Sequence, residues 1–138
     1  MILIACVDVN NGMLFNNRSQ SRDKVLMEHI IELVSNKRLW INSFSKDIFE
    51  NYKLDNLIID DDFSSKIEQK DFCFVENISI KELEDKIEKV VLYNWNRNYP
   101  ADVYFDLPLE KWICESEKEF TGNSHDKITE KIYKRREE

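Results

Sequence analysis

The sequence has few residues of several kinds, and each scarcity excludes a class of protein. Only two glycines and two prolines occur in 138 residues, which leaves no glycine-rich nucleotide loop and no flexible linker. Its two histidines, His29 and His125, are too few for the histidine-rich centres of hydrolytic metalloproteins, so we expect no metal site. No apolar run approaches the length of about 18 residues that spans a membrane. We therefore expect neither secretion nor membrane insertion.

Cysteines are also few, and basic residues are outnumbered by acidic ones. The three cysteines, Cys6, Cys73 and Cys114, form no Cys-x-x-Cys pair, which favours reduced thiols in a cytoplasmic protein. The formal charge is −7, from 20 basic and 27 acidic residues, and it argues against nucleic-acid binding. A protein partner with a basic patch would suit this charge, although an ordinary solvated surface carries it equally well.

What the sequence does contain is an alternation of apolar strands with amphipathic helices. This order predicts a mainly parallel sheet. After residue 93 the pattern changes to two strands, 111–120 and 126–134, which predict a closing antiparallel hairpin. We expect a single domain over 1–138. The predicted parallel strands are Ile2–Val7, Leu39–Ile41, Leu57–Ile59, Phe72–Val75 and Val90–Tyr93, and the predicted helices lie near 23–35, 45–52 and 80–87.

The turn after the fourth strand is the most informative short stretch. Ser79 and Glu82 have the spacing of a capping box, which predicts a helix that begins there. Strand-to-helix turns of this kind hold phosphates in many α/β proteins, because the helix N-terminus offers free N–H groups. Here, however, Glu76-Asn77 precedes the helix instead of glycine.

Two long stretches resemble dihydrofolate reductase. "VVLYNWNRNYPADVYFDLPLEKWICESEKEFTGNSHDKITEKIYKR" is similar to the last third of that family, with Trp112 in a strand and Asn123-Ser124-His125 in the turn before the final strand. "ILIACVDVNNGMLFNNRSQSRDKV" resembles its first strand, its substrate loop and the start of its first helix. The resemblance implies an α/β, three-layer fold with helices on both faces of a mainly parallel sheet.

The family's chemistry carries over poorly. In the family an acidic residue at the start of the first helix binds the pterin ring, and Asp23 stands there as the candidate catalytic residue. Asp23 is equally well interpreted as a first-turn acid that the helix dipole favours. At one turn that holds NADPH phosphates in the family, this sequence has Asn42-Ser43-Phe44-Ser45. Where the family has a pair of glycines after the fourth strand, this sequence has Glu76-Asn77. We therefore expect no tight NADPH site and no cofactor, with NADPH disfavoured.

Three functions stay open at this point. The first is a binding protein of the dihydrofolate-reductase-like fold, with a protein or a small planar ligand as its partner. The second is an oxidoreductase of that fold with an altered pterin or nicotinamide mode, for which Asp23 and the helix N-termini argue. The third is a small acidic effector from a mobile element that inhibits a host protein.

If a small ligand binds, we expect it at the carboxyl ends of the parallel strands. Arg18 or Arg22 is the expected contact for an anionic group of that ligand. We expect His29 to be structural and His125 to be exposed in its turn. Besides Asp23, the predicted cleft residues are Cys6, Val7, Met13, Arg18, Gln20, Asn42, Ser45, Glu76, Asn77 and Tyr93.

Overall fold

The computed structural model describes residues 1–136; residues 137–138, the end of the predicted domain, lie outside the described residues. Within 1–136 the chain forms ten strands in two sheets and two α-helices. Three short 3₁₀ helices cover Ser43–Ser45, Phe63–Ser65 and Lys81–Lys86. The helices are α1 (Lys24–Val34) and α2 (Lys46–Phe49), and the strands are β1 (Ile2–Val7), β2 (Gly12–Phe15), β3 (Arg18–Ser19), β4 (Leu39–Ile41), β5 (Leu57–Ile59), β6 (Phe72–Phe74), β7 (Lys89–Asn94), β8 (Val103–Tyr104), β9 (Trp112–Phe120) and β10 (Ile128–Arg135).

The main sheet has seven strands in the order β5-β4-β6-β1-β7-β10-β9. The first five are parallel, while β10 runs antiparallel to β7 and to β9. In the centre of the sheet, Ile4 of β1 lies beside Phe74 of β6 and Val91 of β7. The predicted α/β fold, with its mainly parallel sheet and closing hairpin, is confirmed.

Strand β1 lies at the centre of this sheet and is buried on both faces. Leu3, Ala5 and Val7 enter the hydrophobic cluster on one face, and Ile4 enters the cluster on the other face with Ile30 of α1. A strand covered on both faces gains from apolar residues at every position. This is why the sequence of β1 is a continuous apolar run.

A second, three-stranded sheet, β3-β2-β8, was not predicted. Strands β2 and β3 form a hairpin whose turn residues, Asn16 and Asn17, have φ values of 52° and 59°. Asparagine tolerates this left-handed conformation better than most residues, so Asn-Asn closes a turn for which glycine is the usual signal. The hairpin escaped prediction because β3 is two residues long.

Two of the predicted helices are shorter or of another type. The segment predicted as a helix over 80–87 is the 3₁₀ helix Lys81–Lys86, and Ser79 does not cap it in the predicted way. The segment predicted over 45–52 consists of the 3₁₀ turn Ser43–Ser45 followed by four α-helical residues. Both segments are too short for hydrophobic periodicity to define their type.

Candidate functional site

The cleft predicted at the strand ends is a small, narrow cavity in this structure. Its volume is about 10 Å³, which is room for about one water molecule. The apolar side chains of Leu26, Phe74 and Trp95 form part of its wall. A flat ring therefore enters only if the wall moves. Five predicted cleft residues line the cavity: Cys6, Met13, Gln20, Asp23 and Glu76.

The other predicted cleft residues lie elsewhere. Val7 and Tyr93 are fully buried in the two core clusters. Asn42 donates through Nδ2 to Oδ1 of Asn77 at 2.8 Å, and its own Oδ1 accepts from the N–H of Ser45 at 3.3 Å. Ser45 bonds to Glu76, and Arg18 is exposed on the β2–β3 hairpin.

Asp23 is the N-cap of α1 and is completely buried. Its carboxylate accepts six hydrogen bonds, two of them from the N–H groups of its own helix. Burial alone would raise the pKa of Asp23, but the N–H groups of Asn123 and Ser124, with His125 and the N–H of Leu26, hold that pKa well below its usual range. The carboxylate is ionised and has its hydrogen-bonding capacity used within the chain.

His125 is buried, with 3% of its surface exposed, so the predicted exposure was wrong. Its Nδ1 lies 3.0 Å from Oδ2 of Asp23, and its Nε2 lies 2.8 Å from the hydroxyl of Tyr99. Its ring stacks on Trp95 at a centroid distance of 4.6 Å. Because an ionised carboxylate only accepts, Nδ1 carries a hydrogen. The turn is drawn inwards by this carboxylate, a contact 102 residues away along the chain.

Glu76 is the second buried carboxylate at the cavity. Oε1 accepts from the hydroxyl of Ser19 in β3, and Oε2 accepts from the hydroxyl of Ser45 at 2.8 Å. Burial raises the pKa of Glu76, and the two hydroxyls and the charge of Arg22 offset this only in part. Glu76 therefore ties the β2–β3 hairpin to the start of α2.

Two further carboxylates occupy the starts of the short helices. Asp61 accepts from the N–H of Ser43 at 2.8 Å and from its hydroxyl. Asp106 accepts from the N–H groups of Ile80 and Lys81 at 2.8 and 2.9 Å and from the hydroxyl of Ser79. Asp106 thus replaces the predicted Ser79 cap, because its charged oxygens satisfy more donors. Neither aspartate carries a recognisable capping signal, since both are distant in sequence from the helices they cap.

His29, predicted to be structural, belongs to a separate cluster between α1 and β10. Its Nε2 lies 2.7 Å from Oε2 of Glu130, which also accepts from the hydroxyl of Tyr93 at 2.8 Å. The His29 ring stacks on Phe120. This cluster and the Asp23–His125 pair both fasten α1 to the C-terminal hairpin, which is a structural role.

Residues 1–136 contain neither a cluster of metal ligands nor a membrane-spanning helix. Over this range no three His, Cys, Asp or Glu side chains come together in a way that could hold a metal ion. In the same part of the chain, no helix has both the length and the apolar character needed to cross a membrane.

Comparison with known proteins identifies the fold. No protein-family model matches the sequence, and no curated protein matches it. Solved structures do match, among them the dihydrofolate reductase from Enterococcus faecalis complexed with NADP(H) and RAB-propyl. That structure superimposes with a TM-score of 0.72 at 10% identity, over 99% of this chain and 96% of the other. The resemblance expected from the sequence is confirmed for the fold.

Proposed function

We propose that this chain, which has the dihydrofolate reductase fold, is a binding protein and does not work as an NADPH-dependent reductase. The observation that carries the proposal is the occupation of the strand ends by the chain's own carboxylates. Asp61 and Asp106 take the N–H groups at two helix starts, and Glu76 stands where the family has glycine.

An incoming phosphate would have to compete with these three groups. A carboxylate about 4 Å from a phosphate opposes it by about 1 to 4 kcal/mol, depending on the local dielectric. Helix N-termini attract anions through their free N–H groups, and at Ser43, Ile80 and Lys81 those groups already donate to aspartate. Both the attraction and the space for a pyrophosphate are therefore reduced.

The pterin side of the cleft supports the same proposal. An acidic residue that recognises a planar N–H pair needs free carboxylate oxygens, whereas the oxygens of Asp23 accept from the backbone and from His125. The adjoining cavity of about 10 Å³ is too small for a ring. A reductase would therefore need a second conformation in which the β2–β3 hairpin moves away.

Titration with NADPH and NADH tests the proposal. Fluorescence of the tryptophans, among them Trp95 at the cavity wall, reports binding, and the Enterococcus faecalis enzyme under identical conditions is the positive control. We expect no saturation below about 1 mM. A dissociation constant in the low micromolar range, about −8 kcal/mol, would support the oxidoreductase alternative instead.

We further infer that the protein works in the cytoplasm. Its three cysteines are free, and burial raises the pKa of the thiols of Cys6 and Cys73 well above the usual range. Protonated, buried thiols are inert and need no oxidising compartment. Localisation of the tagged protein by cell fractionation tests this expectation, and recovery outside the cytoplasm would contradict it.

A further inference from the structure

A surface groove of about 510 Å³ lies beside the small cavity that Asp23 and Glu76 line. One wall is the segment 17–22, which includes β3, and the other wall carries Phe44 and Asp47. The volume is within the range of small-ligand sites, roughly 300 to 1,000 Å³. The complete lining is Asn17, Arg18, Ser19, Ser21, Arg22, Phe44 and Asp47.

The two arginines of this groove differ from three other arginines of the described chain, Arg38, Arg97 and Arg135, which have partners within it. Arg38 pairs with Glu68 and Asp71, Arg97 donates to the carbonyl of Ser124, and Arg135 donates to the carbonyl of Ile87. Within residues 1–136, Arg18 and Arg22 form neither a salt bridge nor a side-chain hydrogen bond. In a chain with a net charge of −7, the hydrogen-bond donors of these two guanidinium groups are available for an external anion, while the charge of Arg22 also acts on Glu76 without a direct hydrogen bond.

The side chain of Glu76 links the two walls of the groove through hydrogen bonds. Glu76 accepts one hydroxyl from each wall, from Ser19 on the arginine side and from Ser45 next to Phe44. The hairpin that carries Arg18 is also fixed at its turn, where the N–H of Asn16 donates to Asp102 at 3.1 Å. A site with fixed walls loses less entropy on binding than one that must first be ordered.

We propose that this groove binds a small organic phosphate, with Arg18 and Arg22 on the phosphate and Phe44 against its organic part. This inference rests on the proposed binding function and names its site and ligand class. Two guanidinium forks suit a dianion better than a single carboxylate, since each can donate a pair of hydrogen bonds to it. Phe44 is half-buried, so its exposed area can pack against an apolar or flat group.

Two acidic side chains repel a bound anion and so lower the expected affinity of the groove for it. Asp47 lines the groove and Glu76 lies under it. Their repulsion is weaker than the attraction of the two arginines only if the phosphate lies on the arginine wall. The expected affinity is therefore modest, and it falls with added salt because the groove is open to solvent.

Calorimetric titration of the full chain with phenyl phosphate and with inorganic phosphate, at low ionic strength, tests the proposal. Arg18→Gln and Arg22→Gln should each weaken phenyl phosphate binding by about tenfold. Lys118→Gln removes the same charge from the exposed strand β9, outside the groove, and should change binding by less than about twofold. Phe44→Ala should weaken phenyl phosphate and leave inorganic phosphate within about twofold.

Each alternative outcome overturns the site. Equal weakening by Lys118→Gln and by the two arginine variants would mean that net charge alone attracts the anion. An unchanged affinity of Phe44→Ala for phenyl phosphate would show that the organic part of the ligand does not bind against Phe44. Failure of phenyl phosphate to bind would reject this inference and leave the proposed function standing, because the NADPH titration decides that function separately.

Discussion

Asp23 and Glu76 are two buried carboxylates on one cavity, and their pKa values move in opposite directions. Burial raises the pKa of both groups. Asp23 accepts six hydrogen bonds, four of them from backbone N–H groups, and its pKa falls. Glu76 accepts only two hydroxyls, and its pKa rises. The difference lies in the donors: backbone N–H groups and His125 outweigh the effect of burial on the pKa of Asp23, whereas two hydroxyls do not outweigh it for Glu76.

The two groups therefore affect stability with opposite sign. Asp23 has a folded pKa below its unfolded pKa, so its ionisation stabilises the protein above the unfolded pKa, and this contribution is lost as the pH falls through the folded pKa. Glu76 has a raised folded pKa, so its contribution is present below the unfolded pKa and is lost as the pH rises through the folded pKa.

Asp23→Asn should give the largest effect, a loss of about 3 to 5 kcal/mol in the free energy of unfolding. The amide nitrogen would face N–H donors, and several buried groups would lose a charged acceptor. Urea unfolding at neutral pH measures the loss. Asp126→Asn, an exposed acid in the same hairpin turn, is the matched control and should change stability by less than about 0.5 kcal/mol. A loss below about 1 kcal/mol for Asp23→Asn would return this residue to the role of a simple first-turn acid.

The pH dependence of unfolding should show the same ionisation. Stability of the natural protein should fall by on the order of 2 kcal/mol as acid protonates Asp23, below the usual pKa of an aspartate. Asp23→Asn should lose much of this slope, because it has no proton to take up at that position. Parallel unfolding curves over acidic pH provide the measurement. Equal slopes in the two proteins would show that other carboxylates cause the acid sensitivity.

Asp106→Ala should cost about 1 to 2 kcal/mol, the usual value of a helix cap. The N–H groups of Ile80 and Lys81 would both lose their acceptor. Ser79→Ala is the matched comparison and should cost less than half as much, because its hydroxyl donates to Asp106 and caps no N–H group. Thermal unfolding of the two variants ranks them. The opposite ranking would support the capping box that the sequence predicted.

Glu76→Gln should have the smallest effect and the opposite sign, a gain of about 0.5 to 1 kcal/mol at neutral pH. The neutral amide avoids the cost of burying a charge, and the hydroxyls of Ser19 and Ser45 can rotate to serve it. The gain should shrink as the pH is lowered, since Glu76 itself then becomes neutral. Destabilisation at neutral pH would indicate that its charge is required, most directly by Arg22.

Much of the fold was predictable because the central strands are buried on both faces. The run from Ile2 to Val7 lies between two hydrophobic clusters, so every position is apolar and the pattern is local. The hairpin of β9 and β10 was predictable from its strand patterns. The short sheet around β2 was not, because β3 and β8 have two residues each and leave no periodic pattern.

The candidate site was predictable only in its location. Cys6, Met13 and Gln20 do meet Asp23 and Glu76 at one cavity, as expected for residues at the carboxyl ends of parallel strands. The small volume of this cavity was not predictable, because a cavity volume depends on how side chains from several elements pack. The burial of His125 was missed for the same reason, since a histidine in a polar turn shows no local sign of a distant carboxylate.

The sequence alone was enough for the order of the five parallel strands, the closing antiparallel hairpin and the loss of the glycine pair before residue 78. These follow from local patterns, namely apolar periodicity, turn residues and the side chains at single positions. Only the tertiary structure decided that Asp23 bonds to Asn123, Ser124 and His125, and that Asp106 caps residues 80 and 81. The physical reason is that each of these carboxylates, Asp23 buried and Asp106 exposed, is held where several donors converge on it, and the chain brings those donors from positions 25 to 102 residues away.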